Sequence, residues 1–361
     1  MDNNSGIISG DSGCNSSNSD SFSNTNNNNE RKDYAIVGKK RGGPLKLYYE
    51  TYGNVDAPVK VLFIMGFMAT GQDWIPQVEY FKKFKEYEVC IFDNRGIGNS
   101  GKAKRYTTSD MALDAVELMD HLKWDTAHIV GASMGGMIAI EFAVRAPIRI
   151  RTLTLAVTHS GLSFPPLKGA LGFSKSLFHR DFSKKADILL DTLFSKQYLS
   201  SQSELDPSKT KRQELIEEYV NKMNSTKAPP ISTLFGHMRC IFTHYVSSSR
   251  LESIKNQDFP VLVLTGTDDY LVKPKNSFSL KNKLSPTEFI VYENCGHCVN
   301  VEKLSEFNHA IENHFMRHKI DSDILKKHLN DREVEKEVDI SNSPIVPSVL
   351  TNTTAVISED N

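Results

Sequence analysis

Short apolar runs rich in β-branched residues recur through the chain: VKVLFIM (59–65), EVCIFD (88–93), AHIVGA (127–132), TLTLAV (152–157), PVLVLTG (260–266) and EFIVYE (288–293). Runs with no polar alternation suit strands buried on both faces, as in a parallel sheet. LKLYYETYG (45–53) predicts an earlier strand. Between these runs the apolar spacing changes to three and four. In TTSDMALDAVELMDHLKW (107–124), Met111, Ala115, Leu118, Met119 and Leu122 share one helical face, with Thr108 or Ser109 as the expected cap. MGGMIAIEFAVRAP (134–147) predicts an apolar helix stopped by Pro147. Strands alternating with helices predict an α/β sheet with right-handed crossovers.

Residues 160–255 break this rhythm. ADILLDTLFSKQYL (186–199) and RQELIEEYVNKM (212–223) have helical periodicity, separated by polar and proline-rich connectors, and no run there reads as a strand. The segment 159–255 is therefore expected to be a helical insertion between two strands of a core formed by 31–158 and 256–316. Residues 1–30 hold nine Asn and eight Ser and no Lys or Arg, and 317–361 become charged and then Asn/Ser/Thr/Pro-rich. Such compositions bury too little apolar surface to offset ordering entropy, so both ends are expected to be disordered.

Composition narrows the class. Of 361 residues, 39% are hydrophobic, enough for a sizeable core, and the net charge of −1 predicts neither nucleic acid nor an anionic membrane as a partner on bulk electrostatics. No apolar run approaches the roughly 20 residues a spanning helix needs. Neither a secretory nor a mitochondrial signal pattern is present, so a cytoplasmic location is expected. Five cysteines in such a chain are expected to be free thiols.

The candidate chemistry centres on IVGASMGGM (129–137), where Gly131, Ala132, Gly135 and Gly136 crowd around Ser133. G-x-S-x-G between a strand and a helix is a nucleophile elbow. The serine occupies an unfavourable backbone conformation, and residues two away on either side must be small because strand and helix backbones nearly touch. The turn lifts the hydroxyl clear of the sheet. A serine hydroxyl needs a base. Of eleven histidines, most lie in helices, the insertion or the tail. His297, in YENCGHCVNVEKLSEF, follows the last strand in a glycine-containing loop and completes the Ser…Asp…His order. The base in turn needs an anion to fix its tautomer. PVLVLTGTDDYLVKP offers Asp268 and Asp269 after the penultimate strand; Asp269 is favoured, with Asp268 in reserve.

The set LFIMGF, FDNRGIGNSG, GASMGG, GTDDYLVKP and NCGHCVNVE resembles the α/β-hydrolase superfamily, closest to its small ester, lactone and methylesterase-like hydrolases with a helical cap. The resemblance covers roughly 45–158 and 256–316. It implies a mostly parallel eight-stranded sheet flanked by helices, with the insertion as cap. It matches Ser133 to the nucleophile, Asp269 to the acid and His297 to the base. It also implies an oxyanion hole from the backbone N–H groups of Phe67 and Met134. Many members carry His-Gly where this chain has Met65-Gly66, a change that backbone donors survive. Phe67, Met68 and Met134 at the entrance favour an apolar substrate.

These residues predict a serine hydrolase cleaving a carboxylic ester, or a related lactone or thioester, of a small to medium apolar substrate through an acyl-enzyme, without metal or organic cofactor. Serine at the elbow argues against dehalogenases and epoxide hydrolases, for which the resemblance implies aspartate. C–C bond hydrolases and perhydrolases share the same triad, and a non-catalytic binding protein on the scaffold is the other alternative. FDNRGIGNSG (92–101) reads as structural, with Asp93, Arg95 and Ser100 tying a loop. Cys295-Gly-His-Cys298 lacks the second cysteine pair of a structural zinc site and reads as incidental; the alternative is an oxidation switch that twists the His297 loop.

Overall fold

The computed structural model describes residues 29–225 and 228–317, so the expectations for the two chain ends lie almost wholly outside the described residues. Eight strands form one sheet: β1 (Glu30–Val37), β2 (Leu45–Gly53), β3 (Val59–Ile64), β4 (Tyr87–Phe92), β5 (Ala127–Ala132), β6 (Ile150–Ala156), β7 (Val261–Gly266) and β8 (Glu288–Tyr292). Their order is β1-β2-β4-β3-β5-β6-β7-β8. β2 pairs antiparallel with both β1 and β4, and all other pairs are parallel. Every residue of β4, β5 and β7 is buried, as their unbroken apolar runs require.

The helices of the first half are α1 (Ile75–Phe81), α2 (Thr108–Leu122) and α3 (Met134–Arg145). Between β6 and β7 lie α4 (Leu167–Phe178), α5 (Phe182–Leu193), α6 (Lys196–Ser200), α7 (Lys211–Ser225), α8 (Ile231–Thr243) and α9 (Ser248–Lys255). The last are α10 (Lys275–Leu284), α11 (Val299–Glu302) and α12 (Leu304–Phe315). One face of the sheet buries side chains of α2, α3, α9 and α10, and the other those of α1 and α12. α9 thus packs in the core layer through Leu251 and Ile254, although it lies within the span read as insertion.

Three local expectations change. The cap of α2 is Thr107, not Thr108 or Ser109; its side chain accepts from the Asp110 N–H. The single helix expected over 186–199 is two, because the Ser195 side chain caps α6 by accepting from the Tyr198 N–H. No apolar run predicts β1, which begins at Glu30, inside the span read as tail. Its first five residues, Glu30 to Tyr34, are exposed on the sheet edge, so it lacks the apolar signature of an inner strand.

The FDNRGIGNSG loop is tied at the carboxyl end of β4. Asp93 accepts from the N–H groups of Gly71 and Asn99, both at 2.9 Å, and Ser100 Oγ donates to Asp93 O. Arg95, fully buried, forms a double ion-paired hydrogen bond to Asp114 at 2.7 and 2.6 Å and donates to the carbonyls of Arg41 and Arg105.

Four buried histidines set an acid limit on stability. Burial pushes His159, His237 and His314 down to about 4 and His244 to about 3. In each case the folded value lies below the unfolded one near 6.5. The fold therefore refuses protons that the unfolded chain accepts, and stability falls as pH drops from about 6.5 through 4. Burial raises the Asp93 and Asp114 carboxyls, which acts in the opposite sense. A net loss of stability between pH 7 and 4 is expected, and calorimetry across that range checks it. An unchanged Tm would contradict it.

Candidate active site

Ser133 sits between β5 and α3 with φ 57° and ψ −123°, a conformation that L-residues rarely adopt. The surrounding glycines explain how the chain tolerates it. A Cβ on Gly131 would collide with the Gly135 carbonyl, and one on Gly135 with the Ile64 carbonyl at the end of β3. Strand and helix backbones are in contact there, and only glycine fits. The turn is held by the Ser133 N–H donating to Ala156 O and by Thr158 Oγ1 donating to Ser133 O. Ser133 itself is half-buried, not sealed.

The loop after β3 passes beside it. A Cβ on Gly66 would stand 3.1 Å from Ser133 Cβ and 3.5 Å from Oγ. Asn94 Nδ2 donates to Met65 O at 2.8 Å, which ties this loop to the end of β4. Phe67 and Met68 are half-buried, and the Phe67 ring lies 5.6 Å from Phe173 of α4 and 6.1 Å from His237 of α8. Met68 has φ 56°, and its N–H donates to His237 Nδ1 at 3.5 Å. His237 Nε2 in turn reaches Arg95 O at 3.1 Å. Met134 is fully buried at the first position of α3, where helix N–H groups have no intrahelical acceptor.

On the far side of β5, the loops after β7 and β8 meet. His297 Nδ1 lies 2.7 Å from Asp269 Oδ2 with both residues buried. The other carboxylate oxygen, Asp269 Oδ1, accepts from the N–H groups of Leu271 and Val272, each at 2.8 Å. Asp269 is therefore locked on both oxygens and holds the imidazole by Nδ1. Asp268 faces elsewhere: its N–H donates to Cys295 O, and its carboxylate meets Thr267 Oγ1. All of these loops leave the carboxyl ends of parallel strands, the edge where open α/β sheets build their sites.

Glu302 belongs to this arrangement without a motif to announce it. Its Oε2 accepts from the N–H of Gly296, beside the histidine, at 3.0 Å and from the N–H of Ser195 in the insertion at 3.1 Å. Cys298 N–H also donates to Leu193 O at 3.1 Å, so the His297 loop is bonded to the insertion at two points. Nothing local in the stretch VNVEKL marks the glutamate, because its Ser195 donor comes from a distant segment. Glu302→Ala leaves two backbone donors without their acceptor, and a loss of about 1–3 kcal/mol in urea unfolding is expected.

His159 carries no sequence signal either; it is a packed imidazole 5.7 Å from the His244 ring, which bonds to Thr108 Oγ1. Cys295 and Cys298 pack in different clusters. Cys295 packs in the core between the sheet and α12, while Cys298 packs against Leu190, Phe194 and Leu199 of the insertion. Both are free thiols, and burial raises both well above the ordinary thiol value, which disfavours the thiolate that redox or metal chemistry requires. Among the described residues no three His, Cys, Asp or Glu side chains gather as metal ligands, and no helix is long and apolar enough to cross a membrane.

Similar proteins place this architecture. A Mycobacterium tuberculosis protein provisionally named non-heme bromoperoxidase BpoC is 28% identical over 279 residues, 74% of this chain and 96% of that protein. A thermophilic esterase from Thermogutta terrifontis superposes with a TM-score of 0.63 at 21% identity, covering 80% of this chain and 100% of its own. The 2-hydroxy-6-oxo-6-phenylhexa-2,4-dienoate hydrolase BphD from Rhodococcus sp. strain RHA1 gives 0.63 at 19% identity, with 80% and 99% covered. At these identities the two structures speak for the fold alone. The alpha/beta hydrolase fold description itself matches residues 60–304, more than half of the chain, and the protein belongs to that family.

Proposed function

We propose that the protein is a serine hydrolase of carboxylic esters with a small to medium apolar acyl or alcohol group. The observation that carries this reading is the buried Asp269–His297 pair on the same sheet edge as the strained Ser133. In the proposed cycle, Asp269 holds the Nδ1–H tautomer of His297, leaving Nε2 to take the Ser133 proton. Ser133 Oγ attacks the ester carbonyl carbon, and the resulting oxyanion is stabilised by the N–H groups of Phe67 and Met134. His297 then gives its proton to the alcohol as the C–O bond breaks. A water, deprotonated by His297, attacks the acyl-enzyme and releases the acid and free Ser133. The close approach of Gly66 to Ser133 Oγ supports the assignment of Phe67 to the oxyanion hole. The apolar groups Phe67, Met68 and Phe173 support an apolar substrate.

Labelling with a fluorophosphonate probe, followed by mapping of the modified peptide, tests the reading together with a p-nitrophenyl ester series. The expected label sits on Ser133, with turnover of apolar acyl esters. A label on another serine, or none, would overturn it. Labelled Ser133 without ester turnover would favour the C–C hydrolase or binding-protein alternative.

A further inference from the structure

The insertion turns an apolar face to solvent. On α4, Gly169, Phe173 and Ser176 form the inward stripe: Gly169 abuts the Tyr270 carbonyl and Phe173 meets Phe67. The outward stripe, at i, i+4 and i+11, is Leu167, Leu171 and Phe178, which are 75%, 51% and 86% exposed. α8 repeats the arrangement. Thr233, His237 and Cys240 face inward, while Ile231 and Phe235 face outward at 65% and 63% exposure, followed by Phe242. Both inward stripes meet Phe67, through Phe173 and His237, so the two helices cover the same loop after β3. Phe164 joins them, its ring 6.3 Å from that of Phe242. Isolated exposed apolar residues need no explanation, but exposed apolar stripes on two helices, linked through Phe164 and Phe242, do.

The charge around the patch is one-sided. Residues 160–185 and 228–245 carry Lys168, Lys175, Arg180, Lys184, Lys185 and Arg239 against a single acid, Asp181. The chain as a whole has 43 basic and 44 acidic residues, so this concentration is local. Asp181 caps α5 by accepting from the N–H groups of Ser183 and Lys184. Lys168 lies over the Tyr270 ring. Lys175, Arg180 and Lys184 are exposed and have no ion pair among the described residues. Apolar side chains on the outer faces of two helices with flanking free cations match the requirements of an interfacial helix, in which the apolar stripe enters the headgroup–acyl boundary and the cations meet anionic headgroups. Convex rows of side chains need no matching groove in a fluid bilayer.

We propose that α4 and α8 form a docking face for an anionic phospholipid surface, on which the protein lies with its insertion against the membrane. This stands independently of the esterase reading, since it uses none of the residues assigned to catalysis. Bulk charge argues against an anionic membrane as partner; the local distribution of charge on the insertion reverses that expectation.

Flotation of the full chain with vesicles of phosphatidylcholine, alone or with roughly 30% phosphatidylserine, tests it. Two variants are compared, Leu171→Ser/Phe178→Ser/Phe235→Ser and Lys175→Glu/Arg180→Glu/Lys184→Glu. The wild type is expected to float with the anionic vesicles about tenfold more strongly than with neutral ones, and less so in high salt. Each variant is expected to lose about tenfold or more of that partition while melting near the wild-type Tm. Absence of wild-type flotation, or flotation of the charge variant equal to wild type, would overturn the proposal. So would a concentration-dependent dimer that the apolar variant dissociates, with no vesicle binding: a second copy would then be the occupant. If the apolar variant misfolds, the charge variant decides alone, because its three side chains are solvent-exposed.

Discussion

Ser133→Ala is expected to lower kcat by about 10⁶ and Asp269→Asn by about 10⁴, with little change in Tm for either. The magnitudes follow from what each removes. On the proposed mechanism, removing Ser133 prevents the acyl-enzyme, and the residual rate would come from water acting in a site that still binds and polarises the carbonyl. Asparagine at 269 keeps the shape of the carboxylate but not its charge. It can still accept from Leu271 and Val272, the two N–H groups now on Asp269 Oδ1. Its NH₂ group would then face His297 Nδ1 and favour the wrong tautomer, leaving Nε2 protonated. Such a variant would keep substrate binding, so KM moves little while kcat falls. The double variant should be no worse than Ser133→Ala alone, because residues that act as one unit are not additive. Asp268→Asn is the internal control, expected to change kcat by less than about threefold, since that carboxylate bonds Thr267 and not the imidazole. A loss at Asp268 equal to that at Asp269 would reverse the assignment of the acid.

Asp114→Ala is expected to destabilise the fold by about 3–5 kcal/mol, read as a shift of the urea midpoint. The Arg95 side chain is fully buried, and Asp114 is the carboxylate bonded to its Nε and one terminal nitrogen. Removing Asp114 leaves a guanidinium charge in the interior with only the Arg41 and Arg105 carbonyls as partners. Arg41, which also reaches Asp114 at 3.0 Å, is only partly buried and keeps Glu117. It therefore suffers less. The pair as a whole is a different matter: Arg95→Met combined with Asp114→Leu removes both charges and should recover much of the loss. The consequences extend to the site, because Arg95 O accepts from His237, whose other nitrogen receives the Met68 N–H. A destabilisation below about 1 kcal/mol would show that solvent reaches the buried arginine.

The inner strands and the elbow were legible in the residues because each is dictated by short-range physics. A strand buried on both faces must be apolar at every position, and VLVLTG or AHIVGA shows that without reference to the rest of the chain. The elbow needs small residues two positions from the serine because backbones meet there, and the glycines announce it. Edge strand β1 was not legible, since exposed Glu30 to Asp33 look the same in a strand as in a tail. Nor was the break between α5 and α6, where a serine cap competes with an intact apolar period.

The amino-acid sequence by itself determined the alternation of strands and helices, the strained serine and the loops able to carry a base and an acid. The sequence favoured Asp269 and kept Asp268 in reserve. Tertiary structure shows which carboxylate reaches His297, because neighbouring side chains on a turn point in different directions and the position of the β8 loop brings only one of them to the imidazole. It also decided which faces of α4 and α8 are covered and which are left to solvent. Helical periodicity defines stripes, but packing against Phe67 determines which stripe is inside, and the physical reason in both cases is that the deciding contacts join segments far apart along the chain.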